Sequence, residues 1–274
     1  MVLVVVMAGA CTEKIDVNLD STYTRLVVDG HVESDTGAYT VALTKSADYF
    51  SNEAVPRVVN ATVSISDGQQ IYLMHESQPG FSGIYETDST FSGKKGSSYT
   101  LHVELQESIA GTTSFEASSY LPAVTSLDSI MTVFHPEWGP KGIWTIKLWA
   151  QEPGNEVNYY LFNVYRNGKL LTDTITKKTI SDDKFYNGSY MNGVDAVYLN
   201  NANPWETIHP GDTVVLQMSG ITKEYFNFID QVRQSGFSIP FFSGPPANVQ
   251  GNIDNGGIGF FAAYSNSFAG TVVK

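Results

Sequence analysis

SYTLHVELQE (residues 98–107) places Tyr99, Leu101, Val103 and Leu105 at every second position, with Ser, Thr, His and Glu between them. A period of two marks a strand with one face in a core and the other in water. Working outward, LVVDGHVE (26–33), YTVALTKS (39–46), ATVSISD (61–67), QIYLMHE (70–76) and GIYETD (83–88) repeat the pattern. Turn residues separate them at roughly 8–12-residue spacing, and Asp67-Gly68, Gly93 and Gly96 sit where hairpin turns belong. No helical period precedes residue 220. Short alternating strands at this spacing predict an immunoglobulin-like β-sandwich over residues 21–120, without the Cys…Trp…Cys core.

SSYLPAVTSLDS (118–129) reads as a crossing into a second β-rich domain over residues 121–274. Its expected strands are IMTVFH (130–135), IWTIKLWAQE (143–152), NYYLFNVYRNGKLL (158–171), AVYLN (196–200) and DTVVLQMSGI (212–221). One helix is expected near 222–235. In ITKEYFNFIDQVRQSG (221–236), Tyr225, Phe228, Ile229 and Val232 form one apolar stripe, with Thr222 as N-cap and Gly236 as C′ residue. PPANVQGNIDNGGIGFFAAYSNS (245–267) reads as a loop entering a closing strand. Gly256, Gly257 and Gly259 supply left-handed backbone and close packing against another strand there.

The composition suits this mainly β architecture. Apolar residues make up 42 % of the 274 positions and charged residues 16 %, against the usual ~25 %. The polarity comes instead from Ser, Thr, Asn, Gln and Gly, beside 15 Tyr and 15 Phe. A formal net charge of −12 excludes a phosphate-backbone reader, so no nucleic-acid partner is expected. A single cysteine forms no internal disulfide.

That cysteine, Cys11, lies in VVVMAGACTEKID (4–16). Residues 1–20 read as the end of a signal peptide, a lipobox and a polar tether: an apolar run, then Ala8, Gly9 and Ala10, then Cys11. The reading gives Cys11 as a lipidation site and the outer membrane as the address, on its surface or its periplasmic face. A buried N-terminal strand with Cys11 as a small hydrophobe and a reactive free thiol are the competing readings. No Lys or Arg precedes the apolar run, where a signal peptide carries a basic segment; a start upstream of Met1 accounts for that.

Catalytic signatures are missing from the sequence. His31, His75, His102, His135 and His209 form no i, i+4 pair and no HExxH frame. His31 and His102 sit in alternating strands, where a solvent-facing or hydrogen-bonded histidine is ordinary; His75-Glu76 and His135-Pro136-Glu137 lack a third ligand for a metal. GFSGIY (80–85) is no nucleophile elbow, and NIDNGGIG (252–259) precedes a strand and not a helix, so it is no phosphate cradle. Asp182-Asp183 and YLNNANPWE (198–206) offer oxygens to Ca²⁺ but in no EF-hand register, and read as solvated loops. No enzyme, metal or cofactor is expected. The candidate contacts are aromatic: Tyr186, Tyr190, Tyr198 and Trp205 in the loop-rich stretch 181–210, and Trp138 in PEWGPKGIW (136–144). Exposed rings beside Asn and Asp stack on sugars or partner proteins; the competing reading caps the sandwich edges with them.

Taken together, CTEKIDV (11–17), LVVDGHV (26–32), YTVALTKSADYF (39–50), NATVSISD (60–67), GIYETD (83–88) and YTLHVE (99–104) resemble one family. PGDTVVLQMSGITKEYFNF (210–228) and PPANVQGNIDNGGIGFFAAY (245–264) extend the likeness over nearly the whole chain. The family is a set of Bacteroidota outer-membrane lipoproteins, domain of unknown function 4249. The resemblance implies a non-enzymatic envelope lipoprotein beside a TonB-dependent transporter, as an accessory or capture subunit. It carries over no catalytic residues. The alternative is an adhesin-like or glycan- and nutrient-binding lipoprotein that acts through its aromatic loops without a transporter.

Overall fold

The computed structural model describes residues 24–46, 54–154, 156–234 and 249–274. Cys11 and Gly236 lie outside them. The chain is mainly β, with three sheets and one α-helix among the described residues.

The first unit packs two layers. One holds β1 (Leu26–Glu33), β2 (Thr40–Lys45), β6 (Ile84–Glu86) and β5 (His75–Glu76). The other holds β4 (Ile71–Leu73), β3 (Thr62–Ser66), β7 (Ser98–Ile109) and β8 (Thr112–Tyr120) in that order. The alternation in 98–107 works as read: Tyr99, Leu101, Val103 and Leu105 are buried, and they meet Val28, Val32, Val41 and Leu43 from the facing layer. The expected strand 70–76 divides at Met74 into β4, which pairs with β3, and β5, which pairs with β6. β8 was not foreseen as a strand, and residues 118–120 belong to it and not to the crossing. Its inward positions are Phe115, Ala117 and Ser119, and with a small and a polar residue after Phe115 no apolar alternation announces the buried face.

The second unit sets β9 (Leu127–His135), β10 (Ile143–Gln151) and β14 (Tyr190–Asn200) against β11 (Tyr159–Arg166), β15 (Thr213–Ile221) and β16 (Ile258–Val272). β12 (Lys169–Leu170) and β13 (Thr179–Asp182) border β11. Trp144, Ile146 and Leu148 meet Phe162, Val164, Leu216 and Met218 in its core. The segment 158–171 is a hairpin, turning at Asn167-Gly168 with both residues at positive φ (51° and 79°), as a two-residue turn between twisted strands requires.

β16 joins the units. Its first half runs parallel to β1, Val27 opposite Ile258 through Glu33 opposite Tyr264; its second half runs antiparallel to β15, Ser265 opposite Gly220 through Val272 opposite Thr213. Phe261 and Ala263 of β16 complete the first core. Through β16, the strands β1, β2, β6 and β5 of the first unit and β11, β12 and β15 of the second form one continuous sheet. At Gly259, φ is +101° and a Cβ would sit 1.9 Å from the Val28 carbonyl oxygen, so the contact between β1 and β16 admits glycine only. The helix α1 (Lys223–Gln234) begins as read: the Tyr225 N–H donates to Thr222 Oγ1 at 3.2 Å. Its stripe of Phe228, Ile229 and Val232 packs on Leu161, Phe260 and Ala262, the sheet face turned away from both cores.

Candidate functional site

Alternation in β1 sends Val28 and Val32 into the first core and turns Asp29, His31 and Glu33 toward the helix side. Register sets Asp29 opposite Phe260 and Glu33 opposite Tyr264 of β16. Over this floor stands a cleft of about 320 Å³, within the range of small-molecule sites. One wall is α1, with Tyr225, Phe228 and Val232. A second is the segment from Leu170 to Lys178, which contains the 3-10 turn Ile175–Lys177. Asn163 and Tyr165 of β11 and Gln217 of β15 close the far end.

The polar groups form two chains. Glu33 lies 3.4 Å from His31 Nε2, and the imidazole stacks on Tyr264 with ring centroids 5.5 Å apart. Asn266 donates through Nδ2 to Glu33 and to Asp35 (2.7 Å to Oδ2), while its own oxygen accepts from Ser219 Oγ at 2.6 Å. At the far end the Tyr165 hydroxyl donates to Gln217 Oε1 at 2.9 Å, and Thr172 Oγ1 donates to Asn163 Oδ1 at 2.9 Å. These side chains are held by one another, so the site is preformed.

Electrostatics separate the two carboxylates of the floor. Asp29 opens onto the cleft but is enclosed by its walls, and that burial pushes its carboxyl up against the opposing pull of Lys178 and His31. Burial also acts on Glu33, but the hydrogen bond and charge of His31, with hydrogen bonds from Tyr264 and Asn266, outweigh it and hold the carboxyl low. Burial pushes the Tyr225 and Tyr264 hydroxyls up; Lys178 draws Tyr225 back, and Glu33 drives Tyr264 further. The cleft therefore presents two acceptor carboxylates, one ammonium and an aromatic wall.

The sequence-marked aromatics lie elsewhere. Trp138 stacks on His135 (3.8 Å between centroids, planes 7° apart) and stands 6.4 Å from Tyr198. Burial and Asp195, which accepts from the Tyr198 hydroxyl at 3.2 Å, raise that hydroxyl. Tyr190, at the other end of β14, donates to Asp128 Oδ2 at 2.9 Å. Trp205 lies under the Lys177 ammonium, 4.5 Å from the ring centroid, beside the outer wall of the cleft. Trp138 and Tyr198 are thus brought together, while Tyr186 sits in the turn that precedes β14 and Tyr190 and Trp205 make other contacts. Glu76 accepts backbone N–H groups of Asn60, Gly80 and Gly83, which makes it a loop clamp. His135 pairs with Glu137 at 3.7 Å. Among the described residues no three His, Cys, Asp or Glu side chains gather as a metal site.

The sequence reading missed Asp29, Glu33, Lys178, Tyr225 and Tyr264 as site residues. The available signal was the row Asp29, His31, Glu33 on one face of a strand whose neighbours are apolar. No curated protein matches the chain. A family model described as a domain of unknown function, DUF4249, matches residues 12–268. With nearly its whole length matched, the chain belongs to the DUF4249 family.

Proposed function

We propose that this chain is a non-enzymatic cell-envelope lipoprotein, anchored to the outer membrane through Cys11, that captures a small ligand in the cleft between β1, β16 and α1. It serves as an accessory subunit of a TonB-dependent transport system of the kind its family resemblance implies. The cleft is the observation that carries this reading: a preformed cavity of about 320 Å³ at the seam of two sandwiches, with an apolar wall and a few convergent polar groups. Asp29 and Glu33 against Lys178 favour a ligand that offers hydrogen-bond donors or positive charge beside an apolar face. Screening amines, amino acids and sugars by thermal shift tests the capture role. A hit whose shift disappears in Asp29→Asn supports the cleft, whereas hits indifferent to that change place capture elsewhere. Purification from detergent-solubilised outer membrane tests the partnership: a co-purifying transporter supports it, and a chain that comes alone sinks it.

A second reading rests on the Trp138–Tyr198 pair, two exposed neighbouring rings suited to stacking on a glycan. In that reading the chain is a surface glycan-binding or adhesin-like lipoprotein without a transporter. A glycan-array signal unchanged in Trp138→Ala argues against it.

A further inference from the structure

Away from the cleft, the residue after β10 and the turn after β13 bring two carboxylates together without a cation. Glu152 is 1 % exposed and Asp183 is 2 % exposed. Tyr160 of β11 gives its hydroxyl to the Glu152 carboxylate, 2.7 and 2.8 Å from the two oxygens. Asp183 Oδ2 accepts from the Asn158 N–H at 3.0 Å and from Asn187 Nδ2 at 3.1 Å, and the Asp183 N–H returns to the Asn158 carbonyl at 3.2 Å. Two further oxygens, Asp183 Oδ1 and Asn158 Oδ1, are buried with no hydrogen-bond partner. Among the described residues no Lys, Arg or His pairs with either carboxylate. Burial pushes the Glu152 carboxyl up, Tyr160 opposes it and Asp183 adds to it; burial, Glu152, Asp183 and Glu156 all push the Tyr160 hydroxyl up. Hydrogen bonds from the Glu152 N–H to the Ser189 carbonyl (3.0 Å) and from the Gly188 N–H to the Pro153 carbonyl (3.3 Å) hold the Asp183–Asn187 turn against the segment that carries Glu152.

Every unsatisfied atom here is an acceptor oxygen, so a further N–H donor is absent and a positive charge is what the arrangement lacks. Buried carboxylates are ordinarily paired or bound to metal. With no His or Cys in the donor set, a hard cation fits. Only two of the donors are carboxylates, which leaves the other positions to carboxamide, carbonyl and water oxygens. Ca²⁺ accepts such irregular loop ligands, whereas Mg²⁺ demands a near-ideal octahedron. We propose that Glu152, Asp183 and Asn158 form a calcium-class cation site at the start of β11. The ion would tie the end of β10 in one sheet to β11 and β13 in the other, and so fix the turn that carries Tyr186. Asp182, the neighbouring acid in the sequence motif, plays another part: its Oδ2 pairs with Lys184 at 2.9 Å.

The test is calorimetric titration of CaCl₂ into the full chain after chelator treatment, with melting curves alongside. One site with Kd on the order of 10⁻⁴–10⁻³ M or tighter is expected. The melting temperature should rise by about 5 °C when Ca²⁺ reaches roughly a hundred times Kd. Asp183→Asn and Glu152→Gln keep their hydrogen-bond acceptors and should weaken Ca²⁺ binding at least ~10-fold, about 1.4 kcal/mol. Absence of any Ca²⁺ heat or melting shift in the wild type overturns the proposal without reference to a variant. So does Ca²⁺ binding undiminished in both variants, and an equal response to Mg²⁺ overturns the calcium assignment. Should Asp183→Asn fail to fold, Glu152→Gln and the wild-type titration decide.

Discussion

Asp29 and Glu33 stand two positions apart on one strand face, and their surroundings drive them in opposite directions. Glu33, held low, stabilises the fold above the ordinary carboxylate range and loses that contribution as pH falls through its depressed value. Asp29, pushed up, disfavours its own ionised form: its penalty is absent below the ordinary range and grows as pH rises through the raised value. Urea unfolding between about pH 4 and about pH 8 should therefore separate the variants. Glu33→Gln should cost about 1–2 kcal/mol at neutral pH and much less in acid, since His31, Tyr264 and Asn266 lose a charged partner. Asp29→Asn should stabilise at neutral pH by up to ~1 kcal/mol, an amount limited by water in the cleft. A reversed order at neutral pH contradicts this account of the floor. Gly259 makes a sharper case. Gly259→Ala puts a Cβ onto the Val28 carbonyl at a strained φ and should cost ~3 kcal/mol or more in the same assay.

At the scale of elements, α1 is both a packed stripe and a wall of the cleft. Thr222→Ala removes the side-chain acceptor of the Tyr225 N–H and should cost about 1 kcal/mol. Phe228→Ala should cost about 3–5 kcal/mol and enlarge the cleft, lowering the affinity of any ligand held against that wall. Denaturant melts together with ligand titration check both. These elements also show how far the sequence could be read. The helix, its cap and most strands follow from periodicity, because a half-buried face writes itself as apolar spacing. β8 hides behind Ala117 and Ser119, and β14 begins at Tyr190, ahead of the expected AVYLN. Its early part is polar and bends at Gly193, whose φ is +74° and which passes over Trp149. For the cleft, one row was legible in LVVDGHVE. The residues that face it arrive from 163–178, 217, 225–232 and 259–264, and only pairing between chain-distant strands brings them together. No local pattern encodes that convergence. The aromatic residues marked in 181–210 are exposed, as their polar surroundings imply, but spacing along the chain could not say which of them share a neighbourhood.

For the whole molecule, β16 decides cooperativity. The first core lacks Phe261 and Ala263 until β16 is in place, and without it β1 is left as an open edge whose parallel partner is missing. A fragment of residues 24–120 should therefore remain largely unfolded, with poorly dispersed amide resonances, while the full chain unfolds in a single transition. A fragment with native-like dispersion would show the first sandwich to be self-sufficient. The pairing of Val27 with Ile258 also has a temporal meaning. The two residues are separated by ~230 positions, and contacts of such range close late and slowly. A polypeptide made from its N-terminus cannot shut its first sandwich until residues 258–264 have left the ribosome. Until β16 arrives the leading half stays loose, and one strand then closes both sandwiches at once.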